Sequence, residues 1–405
     1  MPEIRPFRAI FPTKDFLDRI PSKSEEYASV QDMRDEMDQN PHTYLHMTKG
    51  HLRQIGAFQD PAKLIPFARS YAESLIKDGA VLQEELPSFY IYRQTYQGHS
   101  YTGLIGLASI LDYQKSRIKK HEHTREEREK YISKLIETSG IIGEPVLLAH
   151  ESDEFILQML ESYTNSHPSD GSYEKSGRKN EFWRVHDEMI LSELQKEYER
   201  IPDFYIMDGH HRIASVSNLY DAYPDEKHSH VVSLIFDSSQ LNIEPFHRVI
   251  EGTSLNTNEL KSQLNVKFTL EASEGIPDAL MKGEMIMLHQ GECLFLKLRE
   301  AVPQLDVQVF EEYIQKPIFG VVDARKDGRI DFIPGNVGPN GMLKLAQENP
   351  KKVYFLLSPC TFDEIKNIAD NHEVMPPKST SVQPKGRAGL LMQSYGKNGL
   401  EQLFS

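Results

Sequence analysis

Four chemically able side chains crowd one glycine in the segment IMDGHHRIAS (206–215). The apolar run FYIM ends in Asp208, and Gly209 permits a sharp turn with close backbone approach to a ligand. His210, His211 and Arg212 then fall in the first turn of a helix, where unpaired amides and the positive end of the helix dipole point outward. Arg212 can grip two phosphate oxygens at once. The histidines can donate a hydrogen bond, accept a proton or bind a metal. Asp208 can hold magnesium or orient a hydroxyl as general base. The plainer alternative is a strand-to-helix turn in which Asp208 caps the helix and its neighbours face water.

Two further segments carry similar chemistry. In KKHEHTREER (119–128), Thr124 and Glu127 have the spacing of a capping box, which would start a helix there. That leaves His121, Glu122 and His123 unexplained just ahead of the cap. From 115 to 125, Lys115, Arg117, Lys119, Lys120 and Arg125 stand against Glu122 alone, five basic residues to one acid. A basic loop delivered to a helix start is an anion site in outline, with Arg125 and Thr124 as contacts; a solvated basic loop is the alternative. In MPPKSTSVQPKGRAG (375–389), two prolines stiffen a stretch in which Lys378 and Lys385 supply charge and Ser379 and Thr380 supply hydroxyls. A phosphate clamp suits these residue types, as does an exposed terminal loop. PFHRV (245–249) is a weaker fourth constellation: its His247-Arg248 pair after a strand is more often exposed polar side chains than a site.

The elements that must carry these segments follow from periodicity. Residues 89–95 and 101–110 are aromatic and β-branched runs around Gly98, which predicts a hairpin. A helix is expected over about 125–137, a strand at VLLAH (146–150), a helix near 153–163, a flexible connection over 165–180 and a helix over 187–200. Residues 204–236 read as strand, tight turn, helix and strand. Further on, 285–298 predicts a hairpin turning at Gln290-Gly291. A helix should end before Pro317, 333–341 reads as a glycine-rich loop, and 353–358 as a strand followed by a helix. Ahead of all these, 22–40 predicts a charged helix, and Leu64, Ile65, Ala68, Tyr71, Ala72 and Leu75 predict another from Pro61. The hairpin and the lack of a regular βαβ repeat point to a mixed α/β fold with a partly antiparallel sheet and flanking helices.

Composition bounds the function. With 405 residues the chain exceeds the usual size of one core, and two parts are expected, 1–250 and 251–405, the cut placed where patterning weakens. Lys and Arg number 46 against 60 Asp and Glu, a net charge of −14, so a nucleic-acid partner is not expected. A small phosphorylated ligand needs only a local basic pocket. The longest apolar stretch, 104–111, falls far short of the roughly 20 residues of a spanning helix, and no signal core is visible. Cys293 and Cys360 make neither a disulfide framework nor a four-ligand zinc site; both are expected as buried apolar groups in a cytoplasmic protein. No phosphate loop, dinucleotide fingerprint, zincin motif or nucleophile elbow is present.

Together the motifs YRQTYQGHSYTGLIGLAS, IKKHEHTREER, YIMDGHHRIAS, PFHRVI and MPPKSTSVQPKGRAGLL resemble, in that order, the bacterial family termed domain of unknown function 1015. Members carry a proline-proline-tyrosine-aspartate segment near the N-terminus; here the comparable region reads RIPSKSEEYAS (19–29). The turn is also similar to that of the ParB and sulfiredoxin superfamily, which includes free serine kinases and in which it binds nucleotide phosphates at a helix start. That resemblance implies phosphate contacts from Gly209, His211 and Arg212, with Asp208 and His210 as chemical groups. Sulfiredoxin has a reactive cysteine where this chain has His210, so its chemistry does not carry over.

The resulting expectation is a phosphotransferase that uses a nucleoside di- or triphosphate with magnesium to act on a small hydroxylated metabolite. His121, Arg125, His211, Arg212, Lys378 and Lys385 would supply positive charge or hydrogen bonds, and Asp208 or Glu122 the carboxylate for base or metal. A nucleotide- or metabolite-binding regulator without turnover is the second reading. A metal-dependent hydrolase using His121, His123, His210 and His211 is the third. Assembly is left open, with a homodimer as the candidate.

Overall fold

The computed structural model describes residues 1–22, 29–53 and 65–396. The chain forms two compact units, Met1–Leu241 with Pro384–Ser405, and Asn242–Gln383. The expected boundary near 250 falls instead at 241/242, because the strand Asn242–Ile250 pairs within the second unit, and the last segment returns to the first.

The first unit is built on a nine-stranded mixed sheet. The 89–110 region is the hairpin the sequence predicts: Phe89–Tyr96 and His99–Ser109 pair antiparallel, closing with Tyr96 opposite His99. The order runs Ile118–Lys119, Phe204–Asp208, Val146–His150, His230–Asp237, His99–Ser109, Phe89–Tyr96, Arg178–Val185, Gly171–Lys175, with Ile4–Arg5 also on His99–Ser109. Val146–His150 lies antiparallel to Phe204–Asp208 and parallel to His230–Asp237. Every residue of Val146–His150 and His230–Asp237 is buried, as near-continuous apolar strands require when both faces are covered. The helices Glu154–Ser166 and Glu188–Tyr198 start at Asp153 and Asp187, whose carboxylates each accept two backbone N–H groups.

Three expectations are corrected. The connection 165–180 is not a loose linker: Gly171–Lys175 and Arg178–Val185 form a hairpin about Ser176-Gly177, both with positive φ (54° and 68°). Thr124 does not cap: the helix Glu126–Ser139 begins at Arg125 with no side-chain cap. The glycine-rich 333–341 loop contains a helix start, Gly338–Glu348, with Pro339 in its first turn.

The tail is a strap. Met392 and Ile10 exchange backbone hydrogen bonds, as do Ala388 and Ser22, and the Gly389 amide donates to the Gly143 carbonyl. The Arg387 side chain is buried and donates to Asn180 and the Lys175 carbonyl. Gly386 lies where a Cβ would come within 2.8 Å of the Pro145 ring, so the strap sits directly on the loop before Val146–His150.

The second unit is an antiparallel seven-stranded sheet in the order Phe268–Ala272, Glu292–Leu298, Glu284–His289, Val353–Leu357, Asn242–Ile250, Ile330–Pro334, with Thr380–Gln383 also on Asn242–Ile250. Val249, Ile286, Leu288, Met342, Tyr354 and Leu356 form one of its cores. A helical stretch runs from Asp306 to Phe319 through a π-helical turn at Glu311–Gln315, so it passes Pro317 rather than stopping before it. Both cysteines are free thiols; Cys360 is buried and Cys293 partly so. The predicted helix from 22 begins at Val30, and that from Pro61 is described from Ile65; residues 23–28, 54–64 and 397–405 lie outside the described residues. Among the described residues no helix is long and apolar enough to cross a membrane.

Burial dictates an acid limit to stability. Desolvation holds both His121 and His247 down at about 4, and the Leu357 amide donates to the unprotonated Nδ1 of His247 at 3.3 Å. In the unfolded chain these groups titrate near pH 6.5, so below that the unfolded state binds more protons and is favoured. Stability is fully present above about pH 6.5 and falls as pH drops towards 4, by on the order of 3 kcal/mol per histidine. Thermal midpoints across this range should decline with pH, and His247→Gln should flatten the slope.

Candidate functional site

The strand Phe204–Asp208 shifts register between Ile206 and Asp208, which re-aims its last residue. Gly209 follows at φ 95°, ψ 23°, and the helix His210–Ala222 begins at once. At Gly209 a Cβ would lie 2.8 Å from Arg212 Nη2, so the backbone angle and the packing of the guanidinium both require glycine. Arg212 Nη2 donates to Asp208 Oδ2 at 2.7 Å and to the Pro145 carbonyl at 3.1 Å, while Nη1 reaches Glu144 Oε2 at 3.3 Å. From the strap, Lys385 Nζ stands 3.4 Å from Asp208 Oδ1. Burial would raise the Asp208 carboxyl, but Arg212 and Lys385 outweigh it and hold the group well below the usual carboxylate range.

The 119–125 loop meets the same turn. Its position is set by the helix Glu126–Ser139, which docks on His210–Ala222: Ser133 Oγ donates to the Ser215 carbonyl, and Ser215 Oγ to that of Glu129. The loop places His121 edge-on to His210, ring centres 4.7 Å apart. The Arg125 amide donates to His211 Nε2 at 3.0 Å. Glu122 Oε2 lies 3.6 Å from His210 Nδ1, beyond hydrogen-bond length. His121 and His210 are 3% and 4% exposed, and His121 Nδ1 and His210 Nε2 have no hydrogen-bond partner. Burial keeps both rings neutral near pH 7, His210 well below its ordinary value with the His121 ring adding to the effect. Burial and then Arg128 and Arg125 lower His211.

Segments far apart in sequence therefore converge: Asp208, Gly209, His210, His211 and Arg212, the loop residues His121, Glu122 and Arg125, and Lys385 from the tail. Thr124 is half-buried at the end of that loop. Lys378, Ser379 and Thr380 belong to the second unit, where Lys378 stacks on Phe246, Ser379 Oγ donates to the Pro376 carbonyl, and Thr380 pairs with Pro245. Glu144 and Pro145 were missed by sequence reasoning. The available signal was a carboxylate next to a buried strand, and nothing in spacing ties it to Arg212.

Among the described residues no group of three or more His, Cys, Asp or Glu is placed to hold a metal ion, so histidines 121, 123, 210 and 211 do not form a cage. Asp208 is already balanced by two cations. Of the two carboxylates at the turn, Glu122, with its side chain 44% exposed against 34% for Asp208, is the more open to an incoming cation.

A family model described as protein of unknown function (DUF1015) matches residues 4–311. The chain belongs to the DUF1015 family. No curated protein matches it. Solved structures similar to this DUF1015 chain include C-terminally truncated SbnI from Staphylococcus aureus, at 15% identity and a TM-score of 0.37 over 70% of this chain and 84% of that one. A variant of free serine kinase in complex with ADP has 16% identity and a TM-score of 0.34, covering 66% and 84%. A conserved hypothetical protein from Pyrococcus furiosus has 15% identity and a TM-score of 0.34, covering 75% and 97%.

Proposed function

We propose that this DUF1015 member transfers a phosphoryl group from a nucleoside di- or triphosphate to a small hydroxylated metabolite at the 208–212 turn. The observation that carries the reading is the convergence of His121, Glu122 and Lys385 on that turn, which sets cationic and neutral hydrogen-bonding groups beside an exposed carboxylate. Phosphoryl transfer asks mainly for such positioning and charge. Lys385, the Arg125 side chain and the first amides of the helix would bind phosphate, and neutral His210 and His121 would offer hydrogen bonds. Asp208, tied to two cations, suits the role of holding Lys385 and Arg212 in place. Glu122 is the better base because it faces solvent and sits against a neutral histidine. Magnesium bound with the nucleotide would neutralise phosphate charge.

The mutual engagement of Asp208 and Arg212 also suits a preformed binding site without turnover, the second reading. Calorimetric titration of the full chain with ADP and ATP in the presence of magnesium, followed by phosphorus NMR with hydroxylated amino acids, separates the two. Glu122→Gln should keep nucleotide affinity within a few-fold and lose turnover by about 100-fold or more. Absence of any nucleotide binding by the wild type would sink the phosphotransferase reading and the nucleotide form of the second. Binding without phosphoryl product over hours would leave only the second.

A further inference from the structure

The second unit carries a pocket of about 450 Å³, open to solvent on one side, whose lining residues all come from that unit. Two segments that the turn site does not use meet there, 245–249 and 375–380. Arg248 lines the cavity yet is only 2% exposed. Its Nη1 donates to the Phe246 carbonyl at 2.8 Å and its Nη2 to the Pro377 carbonyl at 3.3 Å, with the guanidinium 4.7 Å from the Phe332 ring centre. A guanidinium has five N–H donors, so these two bonds leave three for another acceptor. Among the described residues no carboxylate pairs with it: of the two acidic groups it feels, Cys360 is kept a neutral thiol by burial, which pushes it up to about 12, and Glu311 is held by Lys316 at 2.8 Å.

A buried guanidinium with no counter-ion is costly, and evolution ordinarily supplies one or replaces the charge by an apolar side chain of similar volume. We propose that Arg248 is the anchor of a second ligand site, and that its ligand is a small organic monocarboxylate. The fork of the guanidinium matches a carboxylate with two parallel hydrogen bonds. The lining charges select against a polyanion: Arg248, Lys316 and Arg325 are balanced by Glu311, Glu312 and Asp323. Val307, Val322, Met375 and Pro376 provide apolar wall for a short carbon chain, and the volume is in the range of small-molecule sites. Two backbone features are of the kind stored at ligand sites: the π-turn Glu311–Gln315, and Lys378 at φ 55°, a left-handed conformation in a non-glycine residue. Desolvation pushes the Arg248 guanidinium down to about 9, and an anion at its free donors would reverse that direction. The proposal does not rest on the reading of the first unit.

The test is calorimetric titration of the full chain with acetate, pyruvate and L-lactate, and separately with inorganic phosphate. At least one of the three carboxylates should bind the wild type at millimolar concentration or better. Arg248→Met, which removes the charge and keeps the volume, should hold its thermal midpoint and weaken that binding by about thirtyfold or more. Should Arg248→Met fail to fold, Val322→Trp at a 74%-exposed position fills the cavity from the opposite chemistry and should abolish binding. The proposal is overturned if none of the three carboxylates binds, if phosphate binds in their place, or if the variant that folds binds them as the wild type does.

Discussion

Arg212→Met should lower stability by about 2–3 kcal/mol and, on the proposed function, weaken nucleotide binding by loosening the Asp208–Lys385 arrangement. A fully buried pair that loses one partner costs about 3–5 kcal/mol; the lower figure applies because Asp208 and Glu144 side chains keep 34% and 38% exposure. The loss comes from three acceptors at once, the Asp208 carboxylate, the Glu144 carboxylate and the Pro145 carbonyl. Two readouts separate this from a generic defect. Asp208 is held below its ordinary range by Arg212 and Lys385, so its contribution is present above about pH 4 and is lost as pH falls further. In Arg212→Met that acid limb should become shallower. In addition, Asp208→Asn added to Arg212→Met should recover part of the lost stability, a coupling of about 0.5–3 kcal/mol. Additive losses, or an unchanged acid limb, would show that the two side chains do not act together.

Gly209→Ala should be the other large effect although it adds a single methyl group. The backbone angle of 95° costs a non-glycine residue about 1–3 kcal/mol. The added Cβ would also lie 2.8 Å from Arg212 Nη2 and 2.9 Å from its Nε, so the guanidinium must shift from its present contact with Asp208. The thermal midpoint should fall by roughly 5–10 °C, and the acid limb should resemble that of Arg212→Met. A stable variant with the wild-type acid limb would mean that the turn relaxes without moving Arg212.

Much of this was legible in the sequence, for physical reasons that differ by element. The 204–222 strand and helix could be read because an apolar run, a glycine and a helical repeat are all local signals. The hairpin at 171–185 was harder to read, because Gly171–Lys175 is short, polar and alternately exposed, leaving Ser176-Gly177 and the buried Phe182, Trp183 and Val185 as the cues. Lys385 stood out by charge, but its partner did not: proximity to Asp208 depends on Gly386 fitting against Pro145, a tertiary contact without a periodic trace. The mixed-sheet expectation holds, since it followed from the hairpin. In the sequence His247-Arg248 reads as an exposed polar pair, because burial of a charge contradicts every local preference; only the fold reveals that Arg248 is buried.

The strap has a bearing on the order of events during synthesis. The second unit, Asn242–Gln383, is translated in full before Pro384 leaves the ribosome. Until then Asp208 has Arg212 but not Lys385, and Ile10 and Ser22 lack their partners in 388–392. A segment made only after the whole second unit thus supplies the partners of Ile10 and Ser22 and the second cation on Asp208, so the charge balance of the turn depends on residues separated from it by an entire folding unit.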